Sequence, residues 1–246
     1  MRFLLYNIAY ATGSPQSYAH GALTIHRYLR ASRHHLRHIQ GFIEKQDPDV
    51  VGLVELDTGS FRAGGRNHAA AIARRLEHNY TYCSKYQQRS LARLLPILRH
   101  QGNALFARGP LEYCEHHFLP RGLKRLVLEA RIEGVRFFLV HLALNKRVRR
   151  KQLTALGHLV GNTPDPVILA GDFNAFEGAR ELEKLTGATG LQTANIARLP
   201  TYPSWQPRKE LDFILCSTSI TIQRFEVLDR IHFSDHLPLI LDFSTA

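Results

Sequence analysis

Residues 168–178 read ILAGDFNAFEG: an apolar strand runs into Ala-Gly, and Asp172 and Asn174 follow two positions apart. Asp, Asn and Gly are ordinary turn residues, so a turn accounts for them. A carboxylate and a carboxamide where a buried strand ends also make a site. The other strands of the chain bear on which reading applies.

Several of them finish in the same way. Arg2–Ile8 is a short apolar strand that ends near Asn7. DPDVVGLVELD, residues 47–57, reads as a turn and a buried strand ending at Glu55, and VRFFLVH, residues 135–141, closes on His141. Asp212 opens LDFILCS, residues 211–217, and Asp235 and His236 stand in SDH just before PLILDF, residues 238–243. Taken singly, each polar residue fits a loop, a cap or a strand end. Two imidazoles, several carboxylates and two Asn side chains, all at strand ends, are hard to assign to turns alone.

The elements between them set the fold class. Leu36, Ile39, Phe42 and Ile43 recur at helical spacing after a candidate cap at Ser32. Asn67–Leu76, Lys146–Val160 and Ala179–Leu185 read as further helices, and GNALFAR (102–108) and TIQRFEVLD (221–229) as further strands. LVLEARI (126–132) and VRFFLVH flank Glu133-Gly134, a two-residue turn that makes them a hairpin. Alternating strands and helices with hairpins mixed in argue against one parallel, doubly wound sheet. The expectation is an α/β (α+β) protein of two mixed β-sheets packed face to face, with helices outside. No repeat, low-complexity tract or linker breaks the chain, so residues 1–246 are expected to form one domain.

The longest apolar runs are far too short to span a bilayer. MRFLLYNIAYATG reads as a first strand and not as a signal peptide. Cys83, Cys114 and Cys216 are widely spaced, without metal-type pairing, which suits free thiols and a cytoplasmic location. A formal net charge of +11 points to a polyanionic partner: nucleic acid, an anionic membrane or a phosphorylated small molecule.

The chemistry follows from the residue types. Oxygen ligands without a Cys/His cluster suit Mg²⁺ or Mn²⁺ and not structural zinc. Such an ion polarises a phosphoryl oxygen and steadies a leaving oxyanion. A carboxylate-held His is a base near neutral pH, and a second His can donate to a phosphoryl oxygen as charge builds. Metal-assisted hydrolysis of a phosphoester is the reading. The chain has no Gly-x-Ser-x-Gly elbow, no Walker-type loop and no dinucleotide fingerprint.

LLYNIAY, VVGLVELD, GNALFAR, FLVHLAL, VILAGDFNA, ELDFILCS and FSDHLPL, in this order, resemble the motifs of the endonuclease/exonuclease/phosphatase superfamily. Its members include deoxyribonuclease I, AP endonucleases, inositol-phosphate 5-phosphatases and neutral sphingomyelinases. The resemblance covers essentially the whole chain and implies a deoxyribonuclease I-like four-layer sandwich. It implies that Glu55 is the main metal ligand, with Asn7 and Asp235 close to the ion, which would be Mg²⁺ or Mn²⁺. Asp172 would orient or deprotonate the attacking water, and Asn174 would hydrogen-bond the phosphate. His141 would face the scissile phosphate, and His236 would pair with Asp212 as an acid/base or phosphate ligand.

The chain departs from the nuclease subgroups, which often show Trp-Asn and Gln-Glu, in having Tyr6-Asn7 and Val54-Glu55. Leu211-Asp212-Phe213 stands where the family has Ile-Asp-Tyr. The resemblance therefore extends to the superfamily and not to the AP endonucleases within it. Specificity rests on loops, and RASRHHLRH (30–38), KYQQRSLARLLPILRHQ (85–101), PRGLKR (120–125) and NKRVRRK (145–151) are strongly basic. The 85–101 stretch reads as a helix packed on the core, or as an amphipathic surface helix. Arg121, Lys124, Arg125, Arg147 and Arg149 are expected to ring part of the active-site mouth and grip phosphates. The expected activity is a nuclease-like phosphodiesterase on DNA or RNA, from a monomer. The alternatives are a phosphatase or phospholipase C-like hydrolase of an inositol phosphate or phospholipid head group, with peripheral membrane contact, and a non-catalytic scaffold.

Overall fold

The protein is described from a computed structural model that covers residues 1–14, 33–85, 97–161 and 163–245. The first sheet contains β1 (Arg2–Asn7), β2 (Val50–Asp57), β3 (Asn79–Ser84), β4 (Gln101–Ala107), β11 (Ile220–Val227) and β12 (Leu239–Thr245), in the order β11-β12-β1-β2-β4-β3. The second contains β5 (Tyr113–Phe118), β6 (Leu126–Ile132), β7 (Val135–His141), β8 (Val167–Asp172), β9 (Gln192–Thr193) and β10 (Asp212–Cys216), in the order β5-β6-β7-β8-β10-β9. Among the described residues each sheet has one parallel pair, β1 with β2 and β7 with β8, and its other pairs are antiparallel.

Among the described residues the α-helices are α1 (Arg33–Gln46), α2 (His68–Leu76), α3 (Lys146–Val160) and α4 (Glu183–Thr189). Helices α1 and α3 fall in the crossovers between the two parallel pairs, as parallel strands require. Asn67 caps α2 by accepting from the amides of Ala69 and Ala70, and Asn145 caps α3 in the same way through Arg147 and Val148.

Three apolar layers hold the sandwich together. Phe3 and Leu5 face the space between the sheets with Phe137, Leu139, Ile168 and Ile214. Leu4 and Tyr6, one residue out of phase, pack instead under α1 and α2 with Leu36, Ile39, Phe42 and Ile72. Phe138 and Val140 alternate likewise onto Leu153 and Leu156 of α3. Strands buried on both faces need this continuous apolar composition.

Several elements differ from the sequence reading. β3 and β5 have no apolar alternation, because NYTYCS and YCEHHF are largely exposed strands. The helix expected over 179–185 is a 3₁₀ turn, Gly178–Leu182, followed by α4. The basic run 30–38, named among the specificity loops, forms from Arg33 onward the first turns of α1, the helix that the spacing of Leu36, Ile39, Phe42 and Ile43 predicted. Of the 85–101 stretch, residues 86–96 lie outside the described residues. Among the described residues, no helix is long and apolar enough to cross a membrane.

Candidate active site

The strand ends converge. β7 and β8 run parallel with His141 opposite Asp172, and β10 runs antiparallel with Asp212 opposite Asp172, so three polar residues share one row. From the other sheet, Asn7 Nδ2 donates to Asp172 Oδ2 at 3.1 Å and bridges the two layers. Within the second sheet, the pairing of β8 with β7 beside Asp172 requires Gly171, whose φ is +147°; a Cβ there would stand 1.9 Å from the carbonyl oxygen of Val140.

Glu55 reaches the same place through a backbone irregularity. The pairing of β2 with β4 slips between Leu53 and Leu56, and Glu55 takes a φ of +60°. A bulge of this kind re-aims one side chain out of the strand's alternation, and non-glycine residues held there store strain. Asn174, at φ +50°, is a second such residue. Its amide N–H donates to Asp172 Oδ1 at 2.9 Å, and its Nδ2 donates to the Leu142 carbonyl at 2.9 Å, which uses one of its two side-chain hydrogens.

His236 and Asp212 form a tight pair, Nδ1 to Oδ2 at 2.7 Å, and Thr201 donates to the same oxygen at 2.6 Å. His236 Nε2 points toward Asp172 Oδ2 at 3.9 Å. Burial alone would lower the imidazole's pKa, but Asp212 and Asp172 outweigh it and carry it up to about 10. Asp172 is shifted upward, chiefly by burial and partly by Asp212, against the pull of His236. Around neutrality the arrangement is an imidazolium beside a carboxylate that protonates unusually easily.

Lys85 belongs to this site, although its sequence context marked it only as one charge in a basic segment. It is buried, 2% exposed; its Nζ donates to the Tyr10 hydroxyl at 3.0 Å and lies 3.0 Å from His141 Nδ1. The same nitrogen stands 3.7 Å from Glu55 Oε1. Burial first, and Lys124 second to it, bring its pKa down to about 7, with Glu55 opposing. Lys124 Nζ lies 3.4 Å from Glu55 Oε1 and 2.6 Å from His141 Nε2. His141 is thus enclosed between two ammonium groups, and burial followed by their charges pushes its pKa well below 6.5. Burial raises Glu55, but the two lysines outweigh that effect and hold it at about 2. Behind Lys85, the Arg62 guanidinium covers the Tyr10 ring at 4.3 Å and pairs with buried Asp57 at 2.6 Å.

Glu55, Asn7, Asp172, Asn174, Asp235, His236 and Lys124 line one pocket of ≈ 150 Å³, with Leu144, Phe176, Tyr202 and Leu211. Asp235 is raised by burial. The carboxylates of Glu55, Asp172 and Asp235 offer hard oxygen donors, and no cysteine lines the pocket, so the residues fit a hard divalent ion better than a soft one. Asp212 Oδ1 is buried without a hydrogen bond, so one more oxygen is available close by.

The basic residues separate. Only Lys124 of the five enters the pocket lining. Arg121 and Arg147 are exposed outside it, and Arg125 lies over the Phe118 ring at 5.7 Å. Arg149 does not ring the mouth: it is 1% exposed, pairs with Glu181 at 2.7 Å, and donates to the carbonyls of Ala143 and Leu144. It lies on the buried stripe of α3 with Gln152, Leu153 and Leu156, three, four and seven residues on, and there it fastens the segment that follows His141.

The family model for the Endonuclease/Exonuclease/phosphatase family matches residues 4–236, nearly the whole chain and every strand end described above. The chain belongs to this family. Among curated proteins, a UPF0294 protein of Yersinia pseudotuberculosis is 28% identical over 200 residues, covering 78% of this chain and 68% of that protein. Among solved structures, the mannosyl-6-phosphatase Bt3783 of Bacteroides thetaiotaomicron superposes with a TM-score of 0.73 at 15% identity, over 99% of both chains. The human Nocturnin catalytic domain with a bound sulfate anion gives 0.69 at 20% identity, over 100% of this chain and 93% of that one. At these identities the structural likeness establishes the fold of this family member.

Proposed function

We propose that this endonuclease/exonuclease/phosphatase family member is a divalent-metal-dependent hydrolase of a phosphodiester, nuclease-like on DNA or RNA. The observation that carries the reading is the row Asp212–His236–Asp172 facing Glu55 across one small pocket. A bound Mg²⁺ or Mn²⁺, held by Glu55 with Asn7 and Asp235 close by, would supply Lewis-acid stabilisation of the phosphoryl oxygens. Asp172 orients the attacking water and takes its proton, which its raised pKa favours. His236, protonated and fixed by Asp212, donates to the phosphate as charge builds. Lys124, at the pocket's edge, meets a second phosphate oxygen. Arg121, Arg125 and Arg147 sit on segments at the same end of the sheets and would contact flanking phosphates.

A specific observation supports a second substrate class. Phe61, Leu123, Leu144, Phe176, Ile196 and Leu199 are exposed large apolar residues on connections at this end of the sandwich. Exposed apolar groups beside basic ones suit a phospholipid head group presented at a membrane. Binding of an Asp172→Asn form to oligonucleotides across a salt series separates the classes. Several backbone contacts give a steep log–log slope, about −0.7 to −0.9 per contact. A flat response with DNA and RNA, alongside turnover of vesicle-borne phospholipid by the unmodified protein, would overturn the nuclease-like reading.

A further inference from the structure

The histidine-rich run at the head of α1 takes no part in this pocket. His34 and His38 stand four residues apart on one face of the helix, and His35 stands three before His38 on the adjoining face. One ring nitrogen from each lies within 4.8 Å of the other two. The rings of His34 and His38 meet nearly edge-on with centroids 4.1 Å apart. Leu36 and Ile39, both buried, fix this turn of helix on the first sheet, so the imidazoles project from a rigid frame.

The surroundings connect the cluster to the pocket on two sides. His38 stacks on Phe233 at 5.6 Å, one residue before Ser234-Asp235-His236. His35 packs on Gly13, where a Cβ would come within 2.8 Å of Nε2; Gly13 lies on the segment that leaves Asn7. Three imidazoles therefore sit between the two loops that deliver Asn7, Asp235 and His236.

We propose that His34, His35 and His38 form a second metal site, for a borderline transition ion of the Zn²⁺, Ni²⁺ or Cu²⁺ class. Three nitrogen donors with no carboxylate among them match such ions and not Mg²⁺. Arg33 and Arg37 stand on the same turns and their charge opposes any cation, so binding there rests on the nitrogen donors and favours ions with strong nitrogen affinity. Metal–nitrogen bonds of about 2.0–2.1 Å in tetrahedral geometry place the donors roughly 3.4 Å apart. Side-chain rotation of exposed His34 and His38 closes the remaining distance. A bound ion would fasten the start of α1 beside Gly13 and Phe233 and so brace both loops. The site is independent of the reaction proposed above.

The test uses the full chain carrying Glu55→Gln and Asp172→Asn, so that the pocket's carboxylates do not compete. Titration with Co²⁺ is followed by visible absorption, and the bound ion is then challenged with Zn²⁺. We expect one equivalent of Co²⁺ with tetrahedral or five-coordinate bands, displaced by Zn²⁺. His34→Ala and His38→Ala should each weaken binding at least tenfold, while His158→Ala on α3, an exposed histidine outside the cluster, should bind unchanged. His34→Gln, which leaves the Phe233 stack in place, should lose binding too and separates ligand loss from helix disturbance. Unchanged Co²⁺ binding in the triple variant lacking all three histidines, or none in the parent, would overturn the proposal.

Discussion

Asp212→Asn is the substitution with the clearest consequence. Asn keeps the shape of Asp212 and its approach to Thr201, but removes the charge that fixes His236 as an imidazolium. In the folded protein His236 titrates near 10 against an ordinary 6.5. At about 1.36 kcal/mol per pH unit this bounds its contribution at roughly 4–5 kcal/mol, and sharing the field with Asp172 leaves about 2–4 kcal/mol for Asp212. The folded-state pKa lies above the unfolded one. The stabilisation is therefore complete below about pH 6.5 and is lost as pH rises through about 10. Urea unfolding of both forms should show the largest difference between about pH 5 and 8, shrinking by pH 10.5. Turnover should drop by about 10²–10⁴, as for loss of a positioned acid. A stability difference independent of pH, or a rate within tenfold of the unmodified protein, would refute the assigned roles.

Arg149→Met strands buried Glu181 and frees two carbonyls, so it should cost about 3–5 kcal/mol in chemical denaturation, while Arg147→Ala should stay within about 0.5 kcal/mol. Glu55→Gln, or excess EDTA, should abolish turnover; full activity in EDTA would remove the metal from the mechanism. Two ammonium groups share Glu55 Oε1, so metal affinity without substrate should be weak and should tighten with a phosphate present, measurable by Mn²⁺ titration with and without inorganic phosphate. Lys85→Met should slow turnover about 10–100-fold by releasing His141. Because burial depresses Lys85 to about 7, its folded form holds fewer protons than its unfolded form up to about pH 10.5, which costs stability at neutral pH. The variant should therefore melt no lower than the parent at pH 7.

The relation of these residues to the sequence has a physical basis. Strands buried on both faces write themselves as unbroken apolar runs, so β1, β2, β7, β8 and β10 were legible from composition alone. Polar residues buried at the ends of such runs cost free energy unless they are hydrogen-bonded or paired with one another, which is why Asn7, Glu55, His141 and Asp172 stood out together. β3 and β5 escaped because an exposed strand is stabilised by its ladder and leaves no alternation to read. Arg149 and Lys85 show what the sequence withholds. Both are basic residues in basic stretches, and one-dimensional charge does not distinguish a solvated side chain from a buried one. Only the packing of α3 against Glu181 turned Arg149 inward, and only the meeting of β3's end with Tyr10, Glu55 and His141 buried Lys85 beside the site. Those partners come from segments tens of residues apart, and their contacts exist only once the two sheets have packed.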